Sequence, residues 1–330
     1  IVLEGSLELE FNKSKIPLIK RSFILALLPI ALLSFLIAFV FMYFSDASFK
    51  DSLMNAIPFS VISSSIAIPS VRDQSRKTKE FVIYESSLSD IIGILFFNFV
   101  AFNTTINASS FGIFGLQLLI IAVVSFIAIA GLALLLSKID HHIKFAPIIL
   151  LIILIYEISK IYNLPALLFI LLFGIFLGNL DELKRFKWIE KLKPDELNIE
   201  VFKFKELITE ATFLIRAVFF LLFGYLMQTA EILNTETFKW ALGITAVIFI
   251  FRAILLKLFK IQIIPLVYVA PRGLINILLF LSIIPEKALV FVNKSLVVQV
   301  IFITAIVMMI GLMITKKEIP VESSNGNEKE

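Results

Sequence analysis

Residues 81–103 read FVIYESSLSDIIGILFFNFVAFN, an apolar run of membrane-spanning length with two carboxylates, Glu85 and Asp90, inside it. About 20 residues of α-helix span the hydrocarbon of a bilayer, so Asp90, about ten residues in, falls near the midplane. A charge at that depth costs roughly 2.5–3.5 kcal/mol on insertion scales, which makes an ionisable residue there a functional candidate. The segments on either side decide what Asp90 binds.

With 59% hydrophobic residues, 17% charged residues and a mean hydropathy of +0.98 over 330 residues, the chain carries more apolar surface than one soluble core hides. It is expected to be an all-α, polytopic membrane protein. The net charge of +4 resides in short clusters between apolar runs, where membrane topology accounts for it and nucleic acid is not needed. The absence of cysteine excludes disulfides, thiol catalysis and Cys-ligated metals. The opening IVLEGSLELEF has neither an initiator Met nor a charged n-region, so the sequence is expected to begin partway through a helix, with at least one span upstream.

Ten apolar segments are marked by the pattern: I (17–44), II (53–71), III (81–103), IV (114–136), V (145–159), VI (164–180), VII (207–227), VIII (240–259), IX (263–284) and X (296–314). Alternate loops test these cuts, because retained Lys and Arg mark the cytoplasmic side. One set of loops holds 22 of the 30 basic residues and the other holds 5, while Arg216, Arg252 and Arg272 lie inside segments. This bias places the C-terminus in the cytoplasm of a multi-pass cell membrane protein, plasma or inner.

Segments II and IX are poor helices in corresponding places. Segment II carries Pro58 and Pro69 around Ser63-Ser64-Ser65, and IX carries Pro265 and then Pro271-Arg272-Gly273. Proline removes a donor and clashes with the preceding turn, and broken backbone at membrane depth is tolerated only inside protein or beside a cavity. Each interrupted segment is the second of a triplet, I–III and VIII–X, and the charge count runs the triplets in opposite directions. Inverted repeats with two broken helices meeting at the midplane are the architecture of secondary transporters. Between VI and VII, 181–206 reads as an amphipathic linker on the membrane surface, with Phe186, Trp188, Ile189 and Leu192 beside basic residues. The polar tail 316–330 is expected to be disordered.

The embedded ionisable residues are Glu85, Asp90, Arg216, Arg252 and Arg272, with Glu210 near an end. Ser86 lies four residues before Asp90 on one helix face and Ser89 is adjacent. These hydroxyls, with carbonyls freed in II and IX, form a candidate oxygen set for a dehydrated monovalent cation at Asp90. Glu85 lies about 140° round the helix from Asp90, so the two form no dyad. Burial disfavours the ionised carboxylate and an opposing charge favours it, and a carboxylate poised in this way binds a proton or a cation in competition. That competition, at a site facing each side in turn, is antiport. Arg216 is assigned no transport role, and His141 and His142 fall in a loop.

Glu85-Ser86-Ser87-Leu88-Ser89-Asp90 resembles the Glu-Ser-x-Leu-Asn-Asp signature of the monovalent cation/proton antiporter superfamily, the sodium/proton exchangers. Glu4-Gly5-Ser6-Leu7-Glu8-Leu9, Phe223-Gly224-Tyr225 and Ala270-Pro271-Arg272-Gly273 are similar to further motifs of that family, in the same order, over roughly residues 1–315. The resemblance implies a thirteen-helix fold whose first helices are missing here, moving by an elevator-like mechanism. It places the core domain in 1–103 and 239–315, a linking helix in 104–143, and dimerisation helices in 144–238, and so implies a homodimer. It makes Asp90 the ion-binding and proton-binding acid, with Ser89 and Ser86 beside it. Arg252 becomes the basic residue of the core, Glu85 and Arg272 a structural ion pair, and Pro69, Pro271 and Gly273 broken-helix positions. Two departures bear on the ion preference: Ser89 stands where the signature has Asn or Asp, and Ile68 precedes Pro69 where many members have Asp.

The expected activity is exchange of Na⁺ or K⁺ for H⁺, with no cofactor. A cation channel and a polytopic membrane enzyme are the alternatives. The enzyme reading lacks a nucleophile or metal motif, there being no His-Glu-x-x-His and no Gly-x-Ser-x-Gly.

Overall fold

The computed structural model of the chain describes residues 2–9, 13–103, 106–138, 145–162, 164, 166–183 and 194–315. All regular elements among these residues are helical. After α1 (Val2–Leu7), segment I forms α2 (Ile16–Leu28) and α3 (Ser34–Phe44), joined by one wide turn at Pro29–Leu33. Pro29 lacks the N–H that would close the bond to the preceding turn, and the helix absorbs the loss as a local widening. Segment II divides into α4 (Phe49–Ser60) and α5 (Ser64–Ser70), and segment III is the single helix α6 (Arg76–Phe102). Then follow α7 (Ala108–Lys138), α8 (Phe145–Ile161), α9 (Ala166–Gly178), the short α10 (Leu180–Leu183), α11 (Pro194–Leu226) and α12 (Thr229–Ile232). The last triplet is α13 (Thr235–Leu258), α14 (Leu274–Leu281) and α15 (Lys294–Ile314). Side-chain oxygens cap the long helices where polar residues precede apolar runs: Ser48 accepts from Asp51 N–H, Ser75 from Thr78 N–H and Asn293 from Leu296 N–H.

Among the described residues, seven helical stretches are long and apolar enough to cross a membrane. The protein is therefore embedded and multi-pass. Three of the ten expected segments fall short of that length: α8 has 17 residues, α9 has 13, and segment IX keeps only the eight of α14. In IX the stretch before Pro271 is a succession of turns, with Val267 N–H donating to Ile263 C=O and Tyr268 N–H to Pro265 C=O. Pro265 and Pro271 leave too few residues between them for an α-helix to propagate. Segment VII also differs, for α11 begins at Pro194 rather than near 207, since proline at the first helical position costs nothing. The expected surface linker thus runs into the membrane helix from 194 onward. Residues 184–193, His141, His142 and the 316–330 tail lie outside the described residues.

One apolar core joins both triplets, with Phe41, Ile57, Phe59 and Phe97 packed with Ile244, Ile248, Ile275 and Val300. A second binds Ile121, Ile148, Ile152, Phe169, Phe173 and Phe204. Leu7 belongs to the second, so α1, expected with the core segments, packs on α9. The interrupted Phe49–Ser70 stretch is the most enclosed span, 83% buried against 11% for Asn198–Tyr225. Enclosure is what a broken backbone requires in lipid, because its freed polar groups find partners only in protein.

Candidate functional site

The helix break in segment II lies at Val61–Ser63, between α4 and α5. Pro69, expected to mark the break, instead sits inside α5, and Pro58 sits inside α4. The break passes across α6 at Gly93, where an added Cβ would lie 2.4 Å from Val61 Cγ2. It also meets the second interruption directly: Ser63 N–H donates to Pro271 C=O at 3.0 Å. Gly273 faces Ser63 and Ile66, and a Cβ there would come within 2.8 Å of Ser63 Oγ and 2.7 Å of Ile66 Cδ1. Absence of a side chain at Gly93 lets the break lie close on α6, and its absence at Gly273 lets the two interrupted segments cross at backbone distance.

Carbonyls released at the end of α4 are taken up from the opposite segment. Arg272 donates through Nε to Phe59 C=O at 2.8 Å and through Nη1 to Ala270 C=O at 2.8 Å, while its own N–H donates to Thr304 Oγ1 at 3.1 Å. A cation at a helix C-terminus is favoured by the partial negative charge of the free carbonyls. Asn276 donates to Pro58 C=O at 2.5 Å and Val61 C=O at 2.8 Å, and its Oδ1 accepts from Gly273 N–H at 2.5 Å. Asn276→Ala leaves these three buried backbone groups without partners, each costing about 1–3 kcal/mol. Its thermal midpoint in detergent is expected to fall as a loss of about 3 kcal/mol or more requires, and an unchanged midpoint would contradict the role.

Asp90 projects from α6 onto the start of α5 and is 2% exposed. Its Oδ2 accepts from Ser64 Oγ and from Ser64 N–H, the latter at 3.3 Å. Oδ1 is buried with no hydrogen-bond partner. The hydroxyls expected beside it do otherwise. Ser86 Oγ donates to Val82 C=O within its own helix at 2.7 Å, and Ser89 Oγ accepts from Ile62 N–H at 2.9 Å, pinning the break to α6. Ser64 is the residue that reaches Asp90. The serine run marked its neighbourhood, and only the path of the chain through the break selects it from its neighbours.

The charge pairing also differs from expectation. Glu85 meets Arg252 bidentately, Nη1 to Oε1 at 2.8 Å and Nη2 to Oε2 at 2.9 Å, and Arg252 Nε donates to Leu266 C=O at 2.7 Å. No ion pair joins Glu85 to Arg272. The two arginines have therefore exchanged the expected parts: Arg252 on α13 closes the ion pair, and Arg272 is the cation held by carbonyls alone. Fork-to-fork geometry explains the choice, since a guanidinium beside a carboxylate on a facing straight helix aligns two bonds at once. Glu85, Asp90, Arg252 and Arg272 are the buried charged residues among those described, and ionised they sum to zero. Arg216, left without a role by the sequence, pairs with Glu4 of α1. Among the described residues no group of His, Cys, Asp and Glu could hold a metal ion.

Interrupted segments crossing beside a buried carboxylate define an ion transporter of the broken-helix class. The chain belongs to the sodium/hydrogen exchanger family: the model described as "Sodium/hydrogen exchanger, transmembrane" matches residues 1–316. The fold is similar to that of the sodium proton antiporter MjNhaP1 from Methanocaldococcus jannaschii, with a TM-score of 0.61 and 16% identity, covering 95% of this chain and 80% of that one. No curated protein matches. Family and fold make the chain a transporter, not an enzyme.

Proposed function

We propose that the protein exchanges Na⁺ or K⁺ for H⁺ by alternating access, with Asp90 as the site that the two ions occupy in turn. The observation that carries the reading is the unpartnered Oδ1 of a fully enclosed carboxylate at the crossing of two interrupted segments. A buried oxygen anion without a partner is costly, and a proton or a dehydrated cation relieves the cost equally well. Ser64 Oγ and the hydroxyl of Ser63 lie at the same break to complete a cation's oxygen shell. The two triplets act as the moving core, and the protein works as a homodimer in the cell membrane with its C-terminus cytoplasmic. Proteoliposomes carrying the protein should acidify or alkalinise on addition of Na⁺ or K⁺ gradients, with saturation. Single-channel currents, or no proton movement with either ion, would contradict the reading.

The charge inventory bears on stoichiometry. With Glu85 and Arg252 mutually neutralised and Arg272 offsetting Asp90, the core gains one positive charge whether it carries the cation or the proton. One cation for one proton is expected, with no net charge moved. Two protons per cation would make a potential of 100 mV act on one charge with about 2.3 kcal/mol, moving the equilibrium ion ratio about fiftyfold. With vesicle potential clamped by a potassium ionophore and Na⁺ as transported ion, the reversal pH gradient should not move with potential.

A further inference from the structure

A cavity of about 580 Å³ lies between α6 and α14 on one side and α8 and α9 on the other. Its α6 wall is made by Ile94, Leu95, Phe97, Asn98, Ala101 and Phe102, of which Ile94 and Asn98 follow Asp90 at steps of four. Steps of four residues stay on one helix face, and this face is the one that carries Asp90. At about 1.5 Å per residue the cavity ends at Ile94, about 6 Å along the axis from Asp90. The opposite wall bears Tyr156 and Lys160, and Ser282 also lines the cavity. Lys160 is the one charged side chain among the described residues lining the cavity. It is exposed at the end of α8, and among the described residues no ion pair within 4.0 Å offsets its ammonium, Glu157 on the preceding turn included.

We propose that Lys160 is a specificity residue of this vestibule, an electrostatic valence filter that admits monovalent cations toward Asp90 and turns divalent ones away. The proposal rests on the reading of Asp90 as the exchange site. A unit positive charge within about 10 Å of the path, at an effective dielectric constant of about 50, lowers the local concentration of a monovalent cation about threefold. For a divalent cation the Boltzmann factor is squared, giving about tenfold. Salt weakens both effects, since the Debye length is about 10 Å at 0.1 M. Asn98 and Tyr156 line the same walls and carry side-chain oxygens that can serve an ion losing water in that space.

The proton bears the same single charge as Na⁺, so the filter lowers both local concentrations alike. At alkaline pH, where Asp90 meets few protons, removing the charge should lower the KM for Na⁺ by the full factor. At acid pH, where the proton competes, the factor should cancel from the apparent KM. A residue with a merely structural role would not produce that crossover.

The test compares Lys160→Gln, Lys160→Glu and Lys160→Arg with the parent in proteoliposomes at low ionic strength, with Na⁺ presented from each side in turn. From one side only, K160Q should lower the KM for Na⁺ about threefold at alkaline pH, K160E about tenfold, and K160R not at all, with maximal rate unchanged. Inhibition by Mg²⁺ should strengthen about tenfold in K160Q, and both shifts should shrink in about 0.5 M choline chloride. An unchanged KM and unchanged Mg²⁺ inhibition in K160Q and K160E would overturn the proposal, as would K160R behaving like K160Q. Exchange surviving in Asp90→Asn would defeat the site reading instead, so the two failures are distinguishable.

Discussion

Asp90→Asn is expected to abolish cation-coupled proton flux while leaving the protein folded. The amide keeps the planar shape and size of the carboxylate and can still accept from Ser64 through its oxygen, so the contact between α6 and the start of α5 survives. What disappears is the charge that attracts a cation and the titratable oxygen that takes a proton. The loss should exceed about a thousandfold in rate, the scale on which removing an obligatory ion ligand differs from perturbing one. Monodispersity in detergent and a thermal midpoint near or above the parent's should accompany it, because an uncompensated buried oxygen is removed. Residual saturable exchange in this variant would move the site elsewhere, with Glu85 the first residue to suspect.

The second large effect concerns Glu85 and Arg252. Their side chains are 2% and 5% exposed and share two hydrogen bonds. Truncating either leaves its partner as a lone charge in the interior, typically a loss of about 3–5 kcal/mol. Glu85→Ala and Arg252→Ala should therefore each lower stability severely, and the double variant should lose far less than the sum, with a coupling of roughly 2–3 kcal/mol. The corresponding cycle with Arg272 should show the smaller coupling, since Arg272 is bound to Phe59 and Ala270 carbonyls rather than to the carboxylate. Unfolding of purified protein in detergent measures both cycles. Stronger coupling of Glu85 to Arg272 than to Arg252 would contradict the pairing described here.

The Glu85 pairing also marks where sequence reading stops. A carboxylate in an apolar run is visible from hydropathy alone, so Asp90 as a buried acid was legible, as were the interrupted segments II and IX. Which arginine meets Glu85 was not, because Arg252 and Arg272 both lie inside apolar segments and only the reach of the Arg252 side chain from α13 to α6 in the folded chain selects between them. The family motif favoured Arg272, and the geometry gives Arg252. Segment IX was read as interrupted in its middle, but the extent of the interruption was not: two prolines six positions apart leave turns throughout the stretch before α14. Asn276 carried a signal that went unread: a lone amide in an apolar run, three residues beyond Gly273, is placed to serve the broken backbone rather than lipid. Ser64 carried a weaker one, since nothing local separates it from Ser63 and Ser65. The start of α11 at Pro194 was missed because a change from charged to apolar residues near 207 resembles a boundary, whereas the backbone has no reason to stop there.

The claim that one carboxylate serves both ions is tested most directly by counting protons released when the cation binds. Calorimetric titration of the purified, full-length protein with Na⁺ and with K⁺, in two buffers of different ionisation enthalpy, gives that number from the difference in heats. With Asp90 protonated at the start, close to one proton should leave for each cation bound, apparent affinity should weaken about tenfold for each unit of falling pH, and both signals should vanish in Asp90→Asn. Cation binding without proton release, or equal release from Asp90→Asn, would show that the two ions do not share Asp90.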